Sequence, residues 1–151
     1  MTDFLNDLGL SKASADPNFI PEGKYPAFVS KLQIKDVKKK DSPSETGKAL
    51  IITYKVSNED PSYSGKSKTE FKSLPEVNPD GSYKTDDDEK NAAYLKQRLL
   101  SLGVPSEEMD NMKQEDILGT PVWMTLVASG DYVNVRQIEL REEDINPVNA
   151  L

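Results

Sequence analysis

The 151-residue chain contains no cysteine and no histidine. The first absence excludes disulfide frameworks, thiolate metal sites and thiol nucleophiles. The second removes the commonest general base and the commonest metal ligand. Serines therefore lack a histidine partner, and no motif holds a carboxylate pair at a fixed spacing. The "SGK" of Ser64 to Lys66 lacks the rest of a phosphate loop. No enzyme activity, cofactor or metal is expected. The "TDDDEK" run (85–90) does not alter this, because consecutive aspartates diverge and the spacing of a calcium loop is absent. Such a run instead enriches a helix N-terminus in negative charge.

Long apolar runs are also missing. No segment approaches the length of a membrane span, and the N-terminus has no basic region followed by an apolar stretch. A cytosolic, soluble protein with no membrane partner is the expectation. Hydrophobic residues make up 36 % and charged residues 30 % of the chain, which suits a single domain with a modest core and long solvated loops.

What is present is charge, unevenly spread. The net charge is -7. Between Lys24 and Lys72, however, eleven lysines face six acids (Asp36, Asp41, Glu45, Glu59, Asp60, Glu70), leaving 8 basic and 20 acidic residues elsewhere. Charges farther apart than about 8 Å are largely screened at physiological salt, so the local field decides contacts. A basic segment on an acidic protein can bind a polyanion.

Periodicity divides the chain into a leading segment and linker (1–22), a β-rich domain (23–140) and an acidic, flexible tail (141–151). In the leading segment Phe4, Leu5 and Leu8 fall at helical spacing. The first strand, "GKYPAFVSKLQIKDV", alternates in two phases: Tyr25, Ala27 and Val29 in one, Phe28, Leu32 and Ile34 in the other. Apolar residues in both phases suit a bent strand with a bulge. "KKKDSPSETG" reads as a loop. In "KALIITYKV", Leu50, Ile52, Tyr54 and Val56 share a face. "KSKTEFKSL" is a weaker, polar third strand. A helix follows, with Asp88 as cap and Ala92, Leu95, Leu99 and Leu102 on one face; Gly103 and Pro105 end it. "SEEMDNMKQEDILG" opens a second short helix. "PVWMTLVAS" and "YVNVRQIEL" are the last strands, joined by a tight turn at Gly130 and Asp131. The order of three strands, a helix and two strands suits an all-β fold with one main helix: a five-stranded OB-fold barrel with the helix between strands 3 and 4. An open α+β sheet is the main competitor.

Four pieces, "FIPEGKYPAFV" (19–29), "YSGKSKTEF" (63–71), "YLKQRLLSLGVP" (94–105) and "DILGTPVWMTL" (116–126), resemble in order and spacing the small single-stranded-DNA-binding-like proteins of bacteriophages, long filed as a domain of unknown function. The resemblance covers about residues 19 to 140. It implies an OB-fold and a role in phage DNA replication or recombination, in the cytoplasm of the infected bacterial host. The tail "REEDINPVNAL" is similar to the acidic tails by which single-strand binders recruit replication proteins. It departs from them in its few acids and in the place of Pro147, four residues before the terminal Leu151.

In OB-folds the face of strands 2 and 3 and the loops joining strands 1–2 and 4–5 bind oligonucleotides. The lysine-dense part of the chain coincides with most of that region: Lys31, Lys35, Lys38, Lys39, Lys40, Lys48, Lys55, Lys66, Lys68 and Lys72. Lysine suits phosphates without reading bases, which implies binding without sequence preference. Stacking platforms are needed as well. Phe71 lies among lysines on a strand too polar to be core, Tyr63 lies in a flanking loop, Tyr132 opens the fifth strand, and Trp123 is out of phase with Met124. Arg136, beside Asn134 on the fifth strand, adds a phosphate contact or caps an acid. The other reading of the lysines is that they solubilise the surface and blunt sheet edges; for the aromatics it is burial. The expected partners are single-stranded DNA and phage replication or recombination proteins, with the chain a monomer or homodimer. The alternative, from another class, is an OB-like interaction module that binds a replication or host protein, including as an inhibitor.

Overall fold

Two apolar phases in one strand require a place where the strand changes face, and that place is Ser30. A computed structural model describes residues 19–38 and 46–141. In it β1 (Gly23–Lys38) pairs antiparallel with β2 (Thr46–Val56), and the register slips between Val29 and Lys31. Before the bulge Tyr25, Ala27 and Val29 enter the core; after it the even-numbered Leu32 takes over that side. Phe28 belongs to the opposite face from Leu32 and Ile34, so grouping the three by phase fails at the bulge.

The rest of the sheet grows from this strand. β3 (Ser67–Ser73) pairs with β2, β4 (Pro121–Ser129) with the first half of β1, and β5 (Tyr132–Leu140) with β4. The order is β3-β2-β1-β4-β5, all antiparallel. The edge strands β3 and β5 approach each other, but no ladder joins them among the described residues. The fold is thus a mostly β structure with one open, curled five-stranded sheet and one main helix. A second bulge, between Thr125 and Leu126 on the β4–β5 ladder, leaves Arg136 unpaired on β5. It accounts for the phase change from Val133 and Val135 to Ile138.

The main helix, α1 (Asp86–Ser101), lies between β3 and β4 in the chain and packs against β3 and β5. Its cap is Thr85 rather than Asp88. The Thr85 backbone is extended, and its hydroxyl accepts from the Asp88 amide at 3.1 Å while donating to the Asp88 carboxylate at 2.9 Å. Asp88 is buried and also accepts from the Glu76 amide, tying the preceding loop to the first turn. The acidic run thus supplies the first turn, where carboxylates oppose the positive helix end. Gly103, with φ of 88°, ends the helix in the left-handed conformation that glycine adopts without strain. The "SEEMDN" segment is a 3₁₀ helix, Ser106–Asn111, and a second spans Gln114–Asp116.

The core lies between the inward face of the sheet and α1. Ala27, Ile52, Tyr54, Val56, Val122 and Met124 are among its most buried sheet residues, with Leu99 and Leu102 from the helix end. Ile20 joins them at 2 % exposure, and Arg141 is buried beyond β5, so packing reaches past both ends of the 23–140 span. The leading segment before residue 19, the loop at 39–45 and the tail after Arg141 lie outside the described residues.

Candidate nucleic-acid interface

Side chains alternate across a strand, so the registers state which residues share a face. On the face away from the core, β1 presents Lys31, Gln33 and Lys35 beyond the bulge. Opposite them β2 presents Thr53, Ile51 and Ala49, and beyond these β3 presents Thr69, Phe71 and Ser73. One row nearer the start of β1 come Phe28, Lys55 and Ser67. No carboxylate occupies any of these strand positions. Lys31, Lys35 and Lys55 are exposed and form no ion pair among the described residues. Phe71 is 64 % exposed in their midst. Ala49 and Ile51 are buried beneath this surface although they lie outside the main core cluster.

The same alternation sends other lysines to the opposite side. Lys48, Lys68 and Lys72 share the side of Tyr54 and Glu70. Lys48 Nζ lies 3.2 Å from Asp36, and Lys72 Nζ lies 3.9 Å from Glu70. Lys38 follows Asp36 on that side. The lysines from Lys24 to Lys72 therefore do not gather on one wall. The bulge and the pairing divide them: Lys31, Lys35 and Lys55 are unpaired among the described residues on the outer face, Lys24 on that face lies 3.7 Å from Glu139, and the opposite side includes the ion-paired Lys48 and Lys72. Lys39 and Lys40 lie outside the described residues.

The aromatic candidates differ in availability. Tyr132, at the β4–β5 turn, is 74 % exposed. Tyr63 packs edge-on against Tyr25, with centroids 5.6 Å apart, and Lys66 Nζ lies 5.6 Å from its ring. Trp123 lies on the outer face opposite Pro26, with Lys24 Nζ at 5.6 Å and the Arg141 guanidinium at 5.0 Å from its ring. Those cations already occupy ring surface that a base would need. Arg136 is exposed on the far edge strand. Sequence reasoning missed Phe28. The signal was its position out of phase with Tyr25, Ala27 and Val29, but only the bulge separates it from the inward-facing Leu32.

Behind the face lies a buried polar link. Tyr54 Oη donates to Glu70 at 2.5 Å, and Arg98 Nη2 donates to the second carboxylate oxygen at 3.2 Å. Arg98 Nε is 2.7 Å from Glu70 Oε1, but its N–H is not aimed along that line, so the contact acts as an ion pair. This link fixes α1 to β3. Burial, and then the Glu70 carboxylate, hold the Tyr54 phenol well above its ordinary range. The Tyr25 phenol is also raised, first by burial and then by Tyr63 and Asp60.

Among the described residues, two surface cavities adjoin these faces. One, of about 480 Å³, lies between the curled end of β1, α1 and the 3₁₀ segments, lined by Leu32, Leu50, Leu95, Met109 and Met112 among others. The other, of about 360 Å³, adjoins the outer face beside Phe28 and Lys55. No group of acidic residues among those described is placed to hold a metal ion, and no described helix is long and apolar enough to cross a membrane. No family model matches the chain, and neither a curated protein nor a solved structure is found similar to it.

Proposed function

We propose that the chain binds single-stranded DNA without sequence preference, along the outer face of β1, β2 and β3. The observation that carries this reading is the charge of that face. A protein of net charge -7 presents there three exposed lysines, an exposed phenylalanine and no acid on the strands. Lys24, Lys48 and Lys72, by contrast, are paired with Glu139, Asp36 and Glu70. Unpaired ammonium groups attract the phosphate backbone, and Phe71 supplies a surface on which a base stacks. Tyr132 and Arg136 extend the path at the β5 edge. In this reading the curled sheet is an OB-fold barrel whose seam falls between β3 and β5. The resemblance of residues 19–140 to phage single-strand binders supplies the setting: replication or recombination in the cytoplasm of an infected bacterium.

Titration of a fluorescent oligo-dT by anisotropy at several salt concentrations tests the reading. Binding is expected to weaken with salt. Each of Lys31→Ala, Lys35→Ala and Lys55→Ala should reduce the slope of log K against log salt by about 0.7. Absence of binding at low salt overturns the proposal. The apolar groove lined by Met109 and Met112 favours a second reading, a protein-interaction module, because methionine-lined surfaces adapt to apolar partners. Retention of a protein partner by the triple lysine variant, with nuclease present, would favour that reading.

A further inference from the structure

The β2–β3 connection builds a cavity that the lysine face alone does not explain. Phe28 and Lys55 wall it on the outer face, the chain at Val56 and Ser57 lines its floor while the Val56 side chain turns into the core, and its rim is Asn58, Ser64 and Gly65. At about 360 Å³ it falls within the roughly 300–1,000 Å³ of small-ligand sites. The loop around it is held by its own backbone: the Gly65 amide donates to Val56, and the Asp60 carboxylate accepts from the Ser62 and Tyr63 amides. The shape is therefore set without help from the rim side chains. The Asn58 amide and the Ser64 hydroxyl have no hydrogen-bond partner among the described residues. Gly65 has φ of 83°, and a Cβ there would meet nothing within 4 Å, so the rim is open.

We infer that this cavity receives one base of the bound strand, with the Phe28 ring against its plane, Asn58 and Ser64 at its polar edge, and Lys55 on the adjoining phosphate. The inference rests on the single-strand-binding reading. It adds a second base position to Phe71, two strands away and four residues along, roughly 16 Å by strand spacing and rise. An aromatic wall suits a planar ring, and a free amide with a free hydroxyl suits the donor and acceptor edge of a base. The neighbouring lysine charge favours a base that carries a phosphate.

The test compares a twelve-residue oligo-dT with an abasic strand of equal length and charge, using the full chain, its Phe28→Ala variant and its Ser64→Trp variant. The tryptophan fills the cavity from an exposed position and leaves Phe28 in place, which separates loss of the site from loss of folding. Each variant is expected to bind oligo-dT about fivefold or more weakly, the lower bound for one stacked base. Affinity for the abasic strand should stay within about twofold. Equal weakening on both strands, or no weakening on either, overturns the base site while leaving the lysine face standing. Failure of the unaltered chain to bind either strand removes the underlying reading itself. Tight binding of free thymidine monophosphate that the strand does not displace also overturns the site as part of a strand path.

Discussion

Glu70 shows how one side chain can serve structure on a strand whose other face is free for a ligand. It lies at 9 % exposure between Tyr54 and Arg98, while Phe71, the next residue, faces solvent. Glu70→Ala would leave the Arg98 guanidinium buried without its partner, at a cost of about 3–5 kcal/mol. Tyr54→Phe should cost less, about 1.5–3 kcal/mol, because it removes one hydrogen bond to a charged group and keeps the ion pair. Urea unfolding of both variants checks the order. Phe71→Ala is the opposite case. Its ring is mostly exposed, so the melting temperature should hardly move, while oligo-dT affinity should fall by about 1–3 kcal/mol. The exposure of Phe71 was legible, since lysines flank it on a polar strand. The role of Glu70 was not, because its partners lie sixteen and twenty-eight positions away.

At the scale of elements, local signals served well where structure is local. The sequence boundaries of β4 and β5 coincide with the strands, and the glycine that ends α1 takes the conformation expected of it. The cap was displaced to Thr85 because a threonine three residues before an acid forms a reciprocal pair, which places Asp88 inside the first turn. Thr85→Ala should cost about 0.5–2 kcal/mol, read from the urea midpoint. Ser30 is an element-scale device as well: its bulge lets one strand carry apolar residues inward on both sides of it. Because Ser30 is the extra residue, deleting it would leave a regular ladder with Val29 still opposite Tyr54 and Lys31 opposite Thr53, so Lys31 and Lys35 stay outward and Leu32 inward. Cooperative unfolding by circular dichroism is therefore expected to survive the deletion; its loss would contradict the role given to the bulge, which is to keep the faces in phase.

For the whole molecule, pH and charge act together. Burial raises the Tyr54 and Tyr25 phenols, so the folded chain keeps these protons where the unfolded chain releases them. Both states are protonated below about pH 10, and that contribution to stability is then fully present. Above about pH 10 the unfolded state binds fewer protons, so stability falls as pH rises. The urea midpoint should drop between about pH 9 and about pH 11, and Tyr54→Phe should flatten that drop. Hydrophobic alternation and composition are properties of neighbouring residues, so the order of strands and helix, the core residues Tyr25 and Tyr54, and the concentration of lysine in the first half are all legible along the chain. Which lysines stand together without acids, the place of Phe28 on their face and the cavity beside Lys55 emerge only when the strands pair. The physical reason is that strand register and bulges are settled between distant segments, and a slip of one residue exchanges the two faces of a strand.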